Sequence, residues 1–378
     1  MSYPLSFDMT EFLAQYWHKK PTVIKGGFND FVDPMSPDEL AGLAMEEEVD
    51  SRYISNIEGK WSAQHGPFGD SLFENLPESH WQLVVQACNH WHLGAAELIE
   101  PFKQLPNWLF DDLMVCFSAP EGGVGPHIDQ YDVFIIQGSG KRRWRVGDLD
   151  KGQYKESIQA GALRQIEGFD AIIDEVLEPG DILYIPPGFP HEGNTLEPSM
   201  SYSIGFRSPK EQELLSNFAD YVLANEKGDV HLDNPEMTVQ HQYGEILNTD
   251  LDKLTAMLRS ALQSESDIRE FMGGMLSQSR HQLDIVEPEE PTDTLEIYHY
   301  LESLGSLRKV SGLRALYHEN ESAHVYINGD AYPAESPHLV HLLCNQESIE
   351  IEDIDGKLSD SQMQLITTLV NLGYWYLD

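Results

Sequence analysis

Gly125-Pro126-His127-Ile128-Asp129 and, 62 residues beyond that aspartate, the histidine that ends Pro186-Pro187-Gly188-Phe189-Pro190-His191 decide how this chain is read. On an extended strand, residues i and i+2 share a face, so the His127 imidazole and the Asp129 carboxylate can meet one ion. His191 follows the apolar run Ile182-Leu183-Tyr184-Ile185 and the stiff Pro186-Pro187-Gly188, so a rigid strand end would fix a third ligand. Two imidazoles and one carboxylate fill one face of an octahedron and leave three positions open. That arrangement suits a non-haem Fe(II) that must also take a chelating cosubstrate and O2. Chance supplies rivals: with 63 acidic residues and 15 histidines in 378, about two or three His-x-Asp/Glu triplets are expected. The second copy, His231-Leu232-Asp233, ends in Asn234-Pro235 with no strand after it and reads as a solvated loop.

Around these motifs, from about 111 to 207, short β-type runs alternate with Gly and Pro: 113–118, 133–137, 143–146, 181–185 and 201–206. The spacing predicts an all-β barrel or double-sheet jelly roll. Gly138-Ser139-Gly140 and Glu178-Pro179-Gly180-Asp181 read as hairpin turns. Lys141-Arg142-Arg143-Trp144-Arg145-Val146 gathers four of the chain's 24 basic residues. Alternation places Arg142, Trp144 and Val146 on the inward, apolar face. A lone guanidinium there is costly unless a carboxylate meets it. Either a protein acid forms a structural ion pair with Arg142, or a small dicarboxylate such as 2-oxoglutarate supplies the bidentate partner. Ser118 can donate a second hydrogen bond to the same carboxylate.

Residues 1 to about 110 read as mostly helical, with Ser36-Pro37-Asp38-Glu39 opening one helix as a capping box. Trp81, Val84, Val85 and Cys88 have helical spacing. His90 and His92 would then point to different sides of a helix, which makes them structural rather than metal ligands. After the β region, Ser208-Pro209-Lys210-Glu211 starts a helix to about Asn225, and two more follow near 250–264 and 266–280. Leu214, Phe218, Val222 and Leu251, Leu254, Leu258, Leu262 give apolar faces suited to internal packing or to a homodimer interface. Glu287-Pro-Glu-Glu-Pro291 reads as a linker to a small mixed domain whose hairpin turns at Asn328-Gly329. Its element order suits a winged helix, yet from 291 onward 4 Lys/Arg stand against 14 Asp/Glu, which disfavours reading DNA.

Charge sets the partner class. With 41% hydrophobic and 23% charged residues the chain is neither disordered nor a membrane protein, but its formal net charge is −39. Such a field repels phosphate backbones and attracts basic proteins. Cys88, Cys116 and Cys344 form no CxxC pair, so neither a disulfide framework nor a zinc knot is indicated, and a reducing cytoplasm is expected. The opening Met1-Ser2-Tyr3-Pro4 carries no basic, apolar leader pattern, and no apolar run reaches the ~18 residues of a membrane span.

The stretches Gly-Pro-His127-Ile-Asp129-Gln-Tyr131-Asp, Val-Phe-Ile-Ile-Gln-Gly-Ser-Gly-Lys-Arg142-Arg-Trp-Arg-Val-Gly and Pro-Gly-Asp-Ile-Leu-Tyr-Ile-Pro-Pro-Gly-Phe-Pro-His191-Glu-Gly resemble the JmjC-type 2-oxoglutarate oxygenases. Among these, the chain is most similar to the bacterial ribosomal oxygenases that hydroxylate arginine. The likeness runs from Phe12-Leu13 to Gly373-Tyr374-Trp375. It implies an α+β chain in three parts. A JmjC/cupin double-stranded β-helix (jelly-roll) domain with N-terminal helices would span 1–207, a helical dimerisation domain 208–286, and a winged-helix-like domain 287–378. The implied reaction uses Fe(II), 2-oxoglutarate and O2 to hydroxylate the β-carbon of an arginine in the large-subunit ribosomal protein L-sixteen. By the same resemblance His127, Asp129 and His191 hold the iron, and Arg142 and Ser118 hold the distal carboxylate of 2-oxoglutarate. Asp112, Met114, Tyr131 and Ser203 line the substrate arginine pocket. Asp112 and Tyr131 suit a guanidinium through a charge-assisted hydrogen bond and a cation–π contact, against readings as a surface carboxylate and a core aromatic. Many relatives use Lys for the cosubstrate, and Lys141 lies on the face opposite Arg142, which keeps the anchor open. The rival readings are another JmjC activity, a demethylase or RNA hydroxylase, and a non-catalytic cupin-like binding module.

Overall fold

Wherever Gly and Pro break the apolar runs the chain turns, and the segments between them assemble two facing sheets. The computed structural model describes residues 3–158, 163–239, 241–303, 305–321, 323–354 and 356–378, so Met1 and Ser2 of the opening stretch lie outside the described residues. The strands are β1 (Thr22–Ile24), β2 (Ser51–Ile57), β3 (Lys60–His65), β4 (Trp81–Val85), β5 (Phe110–Ser118), β6 (His127–Ile128) and β7 (Asp132–Gln137). They continue with β8 (Arg142–Gly147), β9 (Glu156–Ile158), β10 (Arg164–Ile166), β11 (Ala171–Leu177), β12 (Ile182–Ile185), β13 (Pro190–Thr195) and β14 (Ser199–Phe206). The major sheet has the order β1-β12-β7-β14-β5-β4-β2-β3 and the minor sheet β11-β8-β13-β6. Alternation sorts each strand. Met200, Tyr202 and Ile204 of β14 enter the main core under the N-terminal helices, while Ser199, Ser201 and Ser203 face the cup between the sheets. The jelly roll expected from the strand spacing is present.

Two turns were misread. β7 lies in the major sheet and β8 in the minor, and β11 and β12 are split the same way, so residues 138–140 and 178–181 are crossings between layers rather than hairpins. Gly140 (φ +76°) has to be a glycine there, since a Cβ would sit 2.2 Å from the Pro198 carbonyl oxygen.

The N-terminal region is less helical than its sequence suggests. It holds α1 (Met9–Gln15), α2 (Pro37–Leu43), α3 (Asp70–Phe73), α4 (Cys88–Trp91) and α5 (Leu93–Ala96), but β1 to β4 extend the major sheet. Trp81 to Val85 is a strand, buried on both faces, so its apolar residues run continuously and mimic a helix stripe. The Ser36 capping box forms as expected, with Glu39 accepting from the Ser36 amide at 2.8 Å. His90 and His92 are structural: His90 Nδ1 bonds the Gln282 carbonyl at 2.7 Å and His92 Nδ1 accepts from the Ala95 amide at 3.0 Å.

Beyond the cup come α6 (Glu211–Ala224), α7 (Asn248–Ala261) and α8 (Glu265–Ser277). The α6 helix is capped by Lys210, not Ser208, because its first turn is closed by Glu213 reaching the Lys210 amide. Phe218 packs on Phe271, 5.2 Å between ring centroids, and joins α6 to α8. In the C-terminal unit, α9 (Thr294–Glu302), α10 (Pro337–Asn345), α11 (Ile351–Ile354) and α12 (Asp360–Asn371) accompany β15 (Leu307–Lys309), β16 (Ala315–Leu316), β17 (His324–Ile327), β18 (Asp330–Pro333), β19 (Ser348–Ile349) and β20 (Trp375–Leu377). Asn328-Gly329 is indeed the β17–β18 turn, both residues having positive φ. This unit has its own core around Ile297, Leu301, Leu343, Ile366 and Trp375. Among the described residues, no helix is long and apolar enough to cross a membrane.

Candidate active site

Pairing of β6 with β13 puts His127 opposite His191, so residues 64 positions apart become neighbours with ring centroids 4.2 Å apart. Asp129 Oδ2 lies 3.7 Å from His127 Nε2 and 3.5 Å from His191 Nε2. Ligands about 2.1 Å from a shared ion lie roughly 3 Å apart when cis, so a small contraction closes this set around a metal. The tautomers are fixed by the backbone. A carbonyl only accepts, so Nδ1 of His127 donates to Gly125 at 2.9 Å and Nδ1 of His191 to Phe189 at 3.0 Å, and both Nε2 lone pairs converge on Asp129. Gly125 adopts φ +78°, a conformation that disfavours any side chain, and a Cβ there would also press on the Gln165 amide. Burial, reinforced by the neighbouring His191, pushes the His127 pKa down and keeps the ring neutral. Burial alone would raise the Asp129 pKa, but His127, His191 and a hydrogen bond from Tyr131 outweigh it and bring it to about 2. The two Nε2 atoms and the Asp129 carboxylate thus converge as a candidate donor set for one ion. His231 and Asp233 are exposed in a loop and do not join it.

Arg142 lies deeper in the cup, only 3% exposed. Its guanidinium donates to Ser201 Oγ (3.0 Å), Gln82 Oε1 (3.1 Å) and the Gly193 carbonyl (3.4 Å), and lies over the Trp144 ring. Burial works against its charge, and among the described residues no carboxylate stands within ion-pair distance. The structural ion pair considered from sequence is absent. Ser118 donates to Gln82 Oε1 at 2.9 Å and so joins Arg142 only through that amide. Lys141 points outward and pairs with Glu178 instead. Arg142 Nε, Trp144 Nε1, Gln137 Oε1, Thr195 Oγ1 and Ser199 Oγ are buried without a hydrogen-bond partner. A cup floor of unmet polar atoms around an unpaired guanidinium fits a small dicarboxylate. Gly193 keeps that space open, since a Cβ would stand 2.9 Å from the Trp144 ring and 3.0 Å from Arg142 Nη2.

At the mouth, Asp112 is buried and accepts from the Ala87 amide at 2.9 Å, so it is not a surface carboxylate. Burial raises its pKa to about 6 against the pull of His281 and the Ala87 amide. Tyr131 is half-buried, bonds Asp129 and packs on the cup's apolar wall. Met114 and Ser203 face each other across β5 and β14, on the Asp112 side of the cup. The His127, Asp129 and His191 cluster and Arg142 therefore belong to the minor sheet and its flank, and Asp112 to β5 of the facing major sheet.

Two stretches of the chain match known families. Residues 97–214 match the JmjC domain and residues 258–376 the ROXA-like winged helix. The ribosomal protein uL16 3-hydroxylase of Escherichia coli (strain K12) is 48% identical, with 100% of both chains covered. The chain belongs to the JmjC-type ribosomal oxygenases. A probable ribosomal oxygenase of Haemophilus influenzae is 29% identical over 97% of this chain and 94% of that one. A crystal structure of the Escherichia coli ribosomal oxygenase YcfD superposes with a TM-score of 0.95 at 46% identity, and its complex with cobalt and 2-oxoglutarate with 0.91 at 46%, both covering 100% of each chain.

Within this ribosomal oxygenase, sequence reasoning missed Gln82, Ser201 and Gly193, all of which touch Arg142. The helical reading of residues 81–88 hid Gln82. The period-two serines of Ser199-Met200-Ser201-Tyr202-Ser203 were the signal that could have found Ser201.

Proposed function

We propose that this ribosomal oxygenase hydroxylates the β-carbon of an arginine in large-subunit ribosomal protein uL16, using Fe(II) held by His127, Asp129 and His191 and 2-oxoglutarate anchored at its distal carboxylate by Arg142, with Ser118 and Gln82 behind it. The observation that carries the reading is the buried guanidinium with no protein carboxylate, facing the same cup as three convergent ligand atoms. When bound, the iron couples decarboxylation of 2-oxoglutarate to succinate and CO2 with insertion of one atom of O2 into a C–H bond, so electrons balance without another reductant. The protein's share is positional. Arg142 orients the cosubstrate, Trp144 and Val146 exclude water from it, and Asp112 with Tyr131 receives the substrate guanidinium so that its β-carbon reaches the metal. Met114 and Ser203 shape the wall beside it.

The parts that carry no ligand are read in the same way. The exposed Leu251, Leu254, Leu258 and Leu262 recur along α7, which supports a homodimer through residues 208–286, with the winged-helix-like unit over 287–378. The −39 charge supports a basic protein partner in the cytoplasm rather than nucleic acid.

Mass spectrometry of uL16 incubated with the enzyme, Fe(II), 2-oxoglutarate and O2 tests the reading. One added oxygen on an arginine, lost in His127→Ala and Asp129→Ala, is the expected result. Loss of methyl groups from lysine, or succinate release that survives both substitutions, would overturn it.

A further inference from the structure

The segment that follows α8 reaches back across the molecule to the cup mouth. Arg314 donates to the Gln278, Phe110 and Asp111 carbonyls, Arg280 pairs with Asp111 at 2.9 Å, and the Gln282 carbonyl holds the buried His90. These ties pin residues 278–282 along the start of β5. They bring His281 Nε2 to 3.9 Å from Asp112 Oδ2, while Asp111 is already occupied by Arg280. Asp111, Asp112 and His281 have the composition of a cation site, but Asp111 is taken up by Arg280 and Asp112 already accepts from the Ala87 amide, which leaves too few free donor atoms to enclose a metal ion. The cluster suits a guanidinium acceptor with one neutralised and one available carboxylate.

We propose that His281 is a positioning residue of the substrate arginine pocket, donated by the segment after α8, and that it supports the Asp112 carboxylate electrostatically as the acceptor for the incoming guanidinium. This rests on the reading of Asp112 as the arginine's carboxylate. The 3.9 Å gap is too long for a direct hydrogen bond, so the imidazole screens Asp112 without consuming its acceptor positions. The catalytic cup alone therefore makes an incomplete pocket, and the C-terminal half contributes to substrate affinity. The groups facing His281 are Asp111 and Asp112 on β5, Arg280 on its own segment, His90 on α4 and Arg314 just before β16. Burial lowers the His90 pKa to about 4 and raises that of Asp112 to about 6, so Asp112 is the group that responds near neutrality.

The test is the pH profile of affinity, by calorimetry on the full chain loaded with Mn(II) and 2-oxoglutarate, for the uL16 peptide that accepts oxygen. In the parent protein affinity should fall as pH drops through about 6, where Asp112 takes up its proton. His281→Gln removes the neighbour that favours the Asp112 carboxylate. The fall should then move to higher pH by roughly half a unit, about twofold in affinity at the parent's midpoint and about threefold below it. His281→Lys, a fixed cation at the same place, should move it to lower pH. If both variants, shown folded by their melting transitions, superpose on the parent profile while Asp112→Asn weakens binding, the role of His281 is overturned. If Asp112→Asn leaves affinity unchanged, the underlying reading of the pocket fails instead.

Discussion

Arg142 and Asp112 are two charged residues of the cup whose burial costs stability and whose unmet partners mark the ligand. For Arg142 the cost of burying an unpaired guanidinium is several kcal/mol, so Arg142→Met should leave the ligand-free protein as stable as the parent or more so. The same change removes charge-assisted hydrogen bonds of about 1.5–3 kcal/mol each. Affinity for 2-oxoglutarate should fall by about 10²-fold, and the thermal shift caused by 2-oxoglutarate should vanish. A variant that binds 2-oxoglutarate normally would remove Arg142 from the site. Asp112 behaves differently because its charge titrates. Its folded pKa of about 6 stands above the unfolded 3.8, so the native state binds the extra proton between those values and stability falls as pH rises through that window. Asp112→Asn keeps an acceptor for the Ala87 amide and removes the charge. Its melting temperature should exceed the parent's by a few degrees at pH 7.5 and by little at pH 4, measured by calorimetry across that range.

At the scale of elements, legibility followed the breaks between runs. β7, β12 and β14 were readable because β-branched and aromatic runs lie between Gly and Pro, and Asp129 and His191 of the expected triad lie just past β6 and near the start of β13. β4 was not readable, since no Gly or Pro separates it from α4 and its apolar residues run on to Cys88 at helical spacing, and with it went Gln82, the amide that links Ser118 to Arg142. The turns at 138–140 and 178–181 were recognised as turns, but not as crossings, because turn chemistry fixes local dihedrals and not which sheet receives the next strand. Strand β13 offers a test of how tightly these elements define the cup. Its Gly193 faces Trp144 and Arg142 so closely that a methyl group must displace one of them. Gly193→Ala should raise the KM for 2-oxoglutarate about tenfold or more through a shifted Arg142, with the overall fold retained by circular dichroism. An unchanged KM would mean that the cup has room the geometry denies.

Across the whole molecule, charge argues about kinetics rather than fold. A chain of formal charge −39 attracts a basic partner over a distance set by ionic strength, with a Debye length of about 10 Å at 0.1 M salt and about 3 Å at 1 M. The acid excess also extends into the C-terminal unit, far along the chain from His127 and His191, so steering acts on the whole partner before any arginine enters the cup. An arginine held by Asp112, as proposed, would by contrast meet it inside a protected pocket where screening is weak. These two regimes separate in one experiment. For intact uL16, kcat/KM should fall by about an order of magnitude between 50 and 500 mM NaCl, because encounter is slowed. For a short uL16 peptide, which offers little charge to the outer field, the fall should be much smaller, and kcat at saturation should stay level for both. Equal salt dependence for protein and peptide would place the electrostatic recognition at the pocket alone and leave the acidic surface without a part in capture.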